Sequence, residues 1–209
     1  LNKNGLTIQT CEHVLAALVG SEIDNVIIEL NESEPPIMDG SAKFFVDALE
    51  KAGVKYLDSK RKEFIVKKVI SFKDEDTGSE IMVLPAKNYK VTTMVDFGTK
   101  ILGTQNATID SISEFTPQIS NCRTFSFLHE LETLLEEGLI KGGDLNNAIV
   151  YVDKPLSKET MEKLKKAFNK DSISVKPNGI LDNLNLHYPN EAARHKLLDV
   201  IGDLALIGI

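Results

Sequence analysis

The chain has 209 residues, 42% hydrophobic and 26% charged, with a formal charge of −7; this suits one large or two small globular domains with a sizeable core. The acidic balance, the absence of Trp and the few aromatic residues argue against a nucleic-acid-binding face. No apolar run reaches the length of a membrane span, no signal peptide opens the chain, and Cys11 and Cys122 are too few for a disulfide framework, so a reducing cytoplasm is the expected setting.

Leu1 opens the chain without Met, and Ile209 closes it just after an apolar helix, so a fragment cut at both ends is expected. Residues 11–19 read as the first helix. Thr10 would cap it, Gly20 would end it, and Val14, Leu15, Leu18 and Val19 form its apolar stripe. Glu12 and His13 fall in its first turn, where the helix dipole favours a carboxylate and discourages protonation of an imidazole. Adjacent Glu and His are also a base and a ligand that zinc hydrolases use, although a capping Glu beside a half-buried His is spelled the same way. Residues 25–30 are rich in β-branched side chains and read as a strand. Residues 42–52 read as a helix stopped by Gly53, with Phe45, Val46 and Leu49 towards the core and Ser41 or Asp39 as cap. The polar, basic stretch 56–62 is the expected linker between domains.

From Glu63 the pattern changes period. Stretches 64–70, 81–84, 89–97 and 107–112 read as strands, and 74–79 as a hairpin turn carrying Asp76-Thr77-Gly78. Consecutive hairpins imply an antiparallel sheet. Thr124, beyond Pro117, is either a hydroxyl donor in a site or a plain β-branched residue. Residues 128–137 read as a helix, Lys141-Gly142-Gly143-Asp144 as a Gly-rich turn, and 148–152 as a strand. Residues 157–169 read as a lysine-rich amphipathic helix. His129 and His187 have no partners at ligand spacing.

The stretch from Arg194 to Asp203 organises the rest. Read as a helix capped by Asn190, it turns about 100° per residue. His195, Asp199 and Asp203 then fall within an arc of roughly 80°, opposite Leu197, Val200, Ile201 and Leu204. An imidazole one turn from a carboxylate is either a surface pair or half of a mixed nitrogen and oxygen ligand set for zinc.

Taken together, six ordered blocks resemble the zinc-dependent UDP-3-O-acyl-N-acetylglucosamine deacetylase family of lipid A synthesis. They are Thr10-Cys11-Glu12-His13-Val14-Leu15-Ala16-Ala17-Leu18, Glu22-Ile23-Asp24-Asn25, Pro36-Ile37-Met38-Asp39-Gly40-Ser41-Ala42, Arg123-Thr124-Phe125, Gly142-Gly143 with Asn147-Ala148-Ile149-Val150, and Arg194 to Asp199 with Ile201-Gly202-Asp203-Leu204. The resemblance implies an α+β fold of two similar layered domains with the active site between them. Residues 1–56 would be the remainder of the first domain and 57–209 the second, with an insert over about 127–152 forming an acyl tunnel. It implies zinc (Zn2+) held by His13, His195 and Asp199, Glu12 as general base, Thr124 as oxyanion donor and Asp203 as support for a general acid. It places Lys196 at the nucleotide diphosphate, and Phe125, Phe127 and Gly143 at the substrate. The substrate would be a UDP-linked acylated glucosamine, and the chain could be fused at its C-terminal end to a hydroxyacyl-carrier-protein dehydratase. The family's general-acid histidine, in a Gly-His block, has no counterpart here, which keeps a non-catalytic zinc- and UDP-sugar-binding relative as the alternative. Asp144 and His187 also depart from the family's usual Ser and Arg.

Overall fold

A computed structural model of the chain describes residues 1–136, 147–169 and 171–207. The fold is α+β, with hairpins and helices in separate stretches of chain. Strands β1 (Asn2–Lys3) and β2 (Leu6–Thr7) form a small hairpin ahead of helices α1 (Glu12–Gly20) and α2 (Lys43–Ala52). Strands β3 (Ile70–Lys73) and β4 (Glu80–Val83) pair antiparallel, as do β5 (Val91–Asp96) and β6 (Thr104–Ile109). A 3-10 turn (Ile112–Glu114) and the short α3 (Phe115–Gln118) lead to β7 (Phe125–Phe127) and α4 (Leu128–Glu136). Strand β8 (Ile149–Tyr151) then pairs parallel with β7, and α5 (Lys158–Phe168) and α6 (Glu191–Leu204) follow.

Helix α6 is the centre of the packing. It lies against α1 and against the β5–β6 hairpin. Leu197, Leu198 and Ile201 are fully buried with Ala192 and Ala193, and the small residues Ala16 and Ala17 of α1 join the same core. Polar ties fix the register of helix and hairpin. The Thr93 hydroxyl donates to the Ala193 carbonyl (2.8 Å), and the Asn190 side-chain amide donates to the Asn106 carbonyl (2.7 Å). A second core joins Leu128, Leu131, Val150, Val152, Leu164 and Leu181 around α4, β8 and α5.

Helix ends follow the chemistry of their residues, with two departures from expectation. Ser157 caps α5 by accepting from the Thr160 N–H, and Asn169 closes it in the left-handed conformation. At α2 both expected capping residues act in relay: Ser41 Oγ accepts from the Lys43 N–H, and Asp39 Oδ1 accepts from the Ser41 N–H and O–H. At α1, however, Cys11 holds the cap position; Thr10 has φ 51 and makes no capping bond. At α6, Asn190 holds the cap position, but its Oδ1 accepts from Arg194 Nε instead of the helix N–H groups.

Several expected strands differ. Residues 25–30 enter no ladder, and Ile27 is 88% exposed. Residues 64–69 are likewise unpaired, and pairing begins only at Ile70. β-branched composition marks a fit to a pleated, half-buried surface, and a strand forms only where a neighbour completes its hydrogen bonds. The fourth expected strand lies earlier, over Thr104–Ile109, because Ser111 Oγ accepts from the Ser113 N–H and turns the chain at Ile112.

Candidate metal centre

His13 stands on the first turn of α1, and His195 and Asp199 stand one turn apart on α6. Gly202 brings the two helices together: a Cβ there would lie 2.1 Å from the Glu12 carbonyl oxygen, so only glycine admits this approach. The imidazole rings meet edge to face, 5.0 Å between centroids and 85° between planes. His195 Nε2 is 3.3 Å and His13 Nε2 3.8 Å from Asp199 Oδ1. The three potential ligand atoms lie within 4.8 Å of one another, the one such group of three or more among the described residues.

The protonation pattern decides what this group fits. His195 Nδ1 is 3.0 Å from the Cys122 carbonyl oxygen, which can only accept, so Nδ1 carries the proton and Nε2 presents a lone pair. Burial pushes His195 down to about 4, with Asp199 opposing and His13 adding to the shift. Burial also lowers His13, against the charges of Asp199, Glu12 and Asp39. Both rings are therefore neutral near pH 7. Asp199 Oδ1 is buried and has no hydrogen-bond partner, while Oδ2 accepts from Lys196 Nζ at 3.0 Å. A bare carboxylate oxygen facing an imidazole lone pair is repulsive unless a cation sits between them. Two ligands about 2.1 Å from a tetrahedral ion stand about 3.4 Å apart; the donor set fits a divalent metal ion, with His195 and Asp199 at that spacing and His13 slightly wide of it.

Other expected site residues surround this point. Glu12 precedes His13, and its charge is felt at both His13 and Asp203. Asp203 follows Asp199 by one turn; partial desolvation, then Asp199 and Glu12, hold its carboxyl above the usual range. Thr124 opens the approach to β7, with its N–H donating to the Gly40 carbonyl at 2.7 Å and its carbonyl accepting from the Ile149 N–H at 2.9 Å. Gly40 has φ +81, and a Cβ on it would meet the Asn147 carbonyl oxygen at 1.8 Å, so this close approach also requires glycine. Lys196 Nζ stands 5.8 Å from the centre of the Phe125 ring. Phe125 and Phe127 pack with each other, with Phe97 and with Tyr151. Gly143, and 137–146 of the expected insert, lie outside the described residues.

The comparisons cover the whole chain. A family profile described as "LpxC: UDP-3-O-acyl N-acetylglycosamine deacetylase" matches residues 1–166 and 159–209. The chain belongs to the UDP-3-O-acyl N-acetylglycosamine deacetylase family. Among its relatives, the Bifunctional enzyme LpxC/FabZ of Bacteroides thetaiotaomicron is 43% identical over 208 residues, covering 100% of this chain and 45% of that protein. The protein of the same name from Chlorobaculum tepidum is 42% identical over 205 residues, covering 97% and 44%. The UDP-3-O-acyl-N-acetylglucosamine deacetylase of Nitratidesulfovibrio vulgaris is 37% identical over 210 residues, covering 100% and 59%. The chain thus spans about half the length of the curated relatives it matches. No helix among its described residues is long and apolar enough to cross a membrane.

Some residues of this deacetylase-family site carry little signal in sequence. Gly202 enters the sequence reading only as part of a family block, although a signal was there: a glycine inside a helix costs about 1 kcal/mol and points to close packing. Glu191 reads only as a first-turn acid, yet it is fully buried on Arg123. The Cys122 carbonyl, which sets the His195 tautomer, leaves no trace in residue type. His129 does have a partner: its Nδ1 lies 2.7 Å from Asp153 Oδ2, a pairing across 24 residues that spacing along a helix does not reveal.

Proposed function

We propose that this chain serves zinc-dependent hydrolysis of the acetamide of UDP-3-O-acyl-N-acetylglucosamine, releasing acetate, in the synthesis of lipid A. The observation that carries this reading is the buried, unpartnered Asp199 Oδ1 facing two neutral imidazoles, His13 and His195. Two nitrogens and one carboxylate oxygen are a usual ligand set for catalytic zinc, with a position left open. When bound, the ion supplies the positive charge that makes water a nucleophile near neutral pH.

The chain's own residues supply the base, the oxyanion donor and the substrate contacts. Glu12, next to the ligand His13, accepts the proton of the attacking water. The Thr124 hydroxyl donates to the carbonyl oxygen as negative charge develops on it. Asp203 is placed to support the general acid for the leaving amine, a histidine of the family that has no counterpart among these residues. Lys196 holds Asp199 and offers its charge to the diphosphate, and Phe125 and Phe127 line the passage for sugar and acyl chain; Gly143, outside the described residues, is the further substrate contact that the family resemblance implies. On this reading residues 1–56 complete one domain, 57–209 belong to a second, and the substrate lies between them. The protein works in the cytoplasm. The name LpxC/FabZ of several relatives supports a fused hydroxyacyl-carrier-protein dehydratase as a further domain.

The test is elemental analysis beside an acetate-release assay of the full-length protein. About one zinc per chain is expected, lost in His195→Ala. Glu12→Ala is expected to keep the metal and lose about 10²–10⁴-fold in kcat. Wild-type turnover in metal-loaded Glu12→Ala would remove Glu12 as the base.

A further inference from the structure

The loop 122–124 is tied to helix α6 through Cys122 and Arg123, and to Gly40 and β8 through Thr124. The Cys122 carbonyl accepts from His195 Nδ1, and Thr124 is bonded to Gly40 and Ile149 through its own backbone. Between them, Arg123 faces Glu191, the first residue of α6 and one turn before His195. Glu191 Oε1 accepts from the Arg123 N–H (3.1 Å) and Nε (2.9 Å), and Oε2 accepts from Arg123 Nη2 (3.2 Å) and the His187 N–H (2.6 Å). Arg123 Nη2 also donates to the Asn185 carbonyl at 2.6 Å. Glu191 is 0% and Arg123 6% exposed.

Such a pair gives little net stability, because taking both charges out of water offsets most of their attraction. What it does give is geometry. The guanidinium fork and the carboxylate set one relative position of loop and helix, and lysine cannot reproduce that fork. Because the bonds include the backbone N–H of Arg123, the peptide unit that follows Cys122 is held directly. The carbonyl of that same unit is the acceptor for His195 Nδ1. Without that acceptor the neutral ring is free to take the other tautomer, which would put a proton on the nitrogen facing Asp199.

We propose that Arg123 and Glu191 are a positioning pair that fixes the Cys122 carbonyl, and through it the tautomer and orientation of His195 for metal binding. This rests on reading His195 as a ligand. Neither residue touches the substrate or the ion; both act through the loop. The role also explains why so costly a pair is buried at the start of α6 beside a polar centre.

The experiment uses the full-length protein, metal-free and titrated with Zn2+ against a competing chelator. It compares wild type with Arg123→Lys, Glu191→Gln, His195→Ala and Leu164→Ala. Nitrogen chemical shifts of the His195 ring are recorded on the metal-free samples. Arg123→Lys and Glu191→Gln are expected to weaken zinc binding about 10–100-fold and to mix the two tautomers of His195. Leu164→Ala, which opens a cavity in the second core, is expected to lower Tm while zinc affinity and the tautomer stay as in wild type. If Glu191→Gln does not fold, Arg123→Lys decides alone. Zinc affinity within about twofold of wild type in Arg123→Lys, with His195 still protonated only at Nδ1, overturns the positioning role. Zinc retained in His195→Ala overturns the ligand reading itself, so the two failures are distinguishable.

Discussion

Helix α6 and the β3–β4 hairpin are both rich in apolar residues, and the fold treats them in opposite ways. Around α6, Leu197, Leu198 and Ile201 are completely enclosed, and the enclosure extends to His195 and Glu191. On the hairpin, Phe72 is 66%, Ile81 62% and Met82 65% exposed. The difference lies in neighbours. The helix has α1 on it and β5–β6 beside it, whereas among the described residues each hairpin strand packs extensively only on the other strand. Burial costs a polar group its water, so the same enclosure that stabilises leucines at α6 strips the imidazoles and Asp199 and makes them reactive toward a cation. Nothing comparable is built on the hairpin, whose side chains stay largely in solvent.

The largest expected effect tests that enclosure. Leu198→Ala removes a fully buried side chain from the centre of the main core, and the loss of contacts with incomplete collapse costs about 2–5 kcal/mol. Urea unfolding of the metal-free protein measures it. A loss below about 1 kcal/mol would show that the helix is far more loosely held than its neighbours indicate.

The burial of His195 has its own signature in pH. Its folded value, about 4, lies below the unfolded value of about 6.5. The unfolded chain therefore takes up a proton that the folded chain refuses. This stability is fully present above pH 6.5 and is lost as pH falls towards about 4, to about 3 kcal/mol in all. Unfolding of metal-free wild type and His195→Gln at pH 7 and pH 4.5 isolates it, since the carboxylates common to both cancel. Wild type should lose more across the interval; equal losses would place the imidazole in water.

How much of this was legible follows the same division. The α6 face was readable because a helix fixes which residues meet: spacing alone aligned His195 with Asp199. The first-turn Glu12 and His13 were readable as a local pattern, but no local pattern shows that His13 meets Asp199 across the fold. The ordered family blocks supplied that link. Residues 25–30 misled because β-branched side chains report a preference, and pairing depends on a neighbour that composition does not contain. The Arg123–Glu191 pair was hidden for a further reason: its partners are 68 residues apart, and a lone Glu opening a helix already has a sufficient local explanation in the helix dipole.

Gly202→Ala sharpens the comparison at the contact itself. The added methyl would fall 2.1 Å from the Glu12 carbonyl oxygen, and rigid backbone on the other side forces α1 and α6 apart. Such overpacking costs about 1–3 kcal/mol, against the roughly 1 kcal/mol that alanine gains over glycine in a helix interior. Thermal unfolding should show a net loss, accompanied by weaker zinc binding because His13 moves with α1. A gain in Tm with unchanged zinc affinity would mean that the helices have room to spare.

The smallest effect is expected on the hairpin. Phe72 and Ile81 are cross-strand partners in the β3–β4 register, so changing both to threonine keeps β propensity and removes most of the apolar surface. If the two side chains are as open in solution as in the fold, little burial is lost, and each change stays within about 0.5 kcal/mol. Thr-Thr pairs also retain a cross-strand contact of about 0.2–1 kcal/mol, which offsets the lost aromatic contact. Tm should therefore barely move, and zinc affinity should not change, because among the described residues the hairpin has no extensive packing against α6. A loss near that of Leu198→Ala would instead mean that the hairpin's apolar face is covered in solution, and the contrast between the two regions would then be one of partner and not of burial.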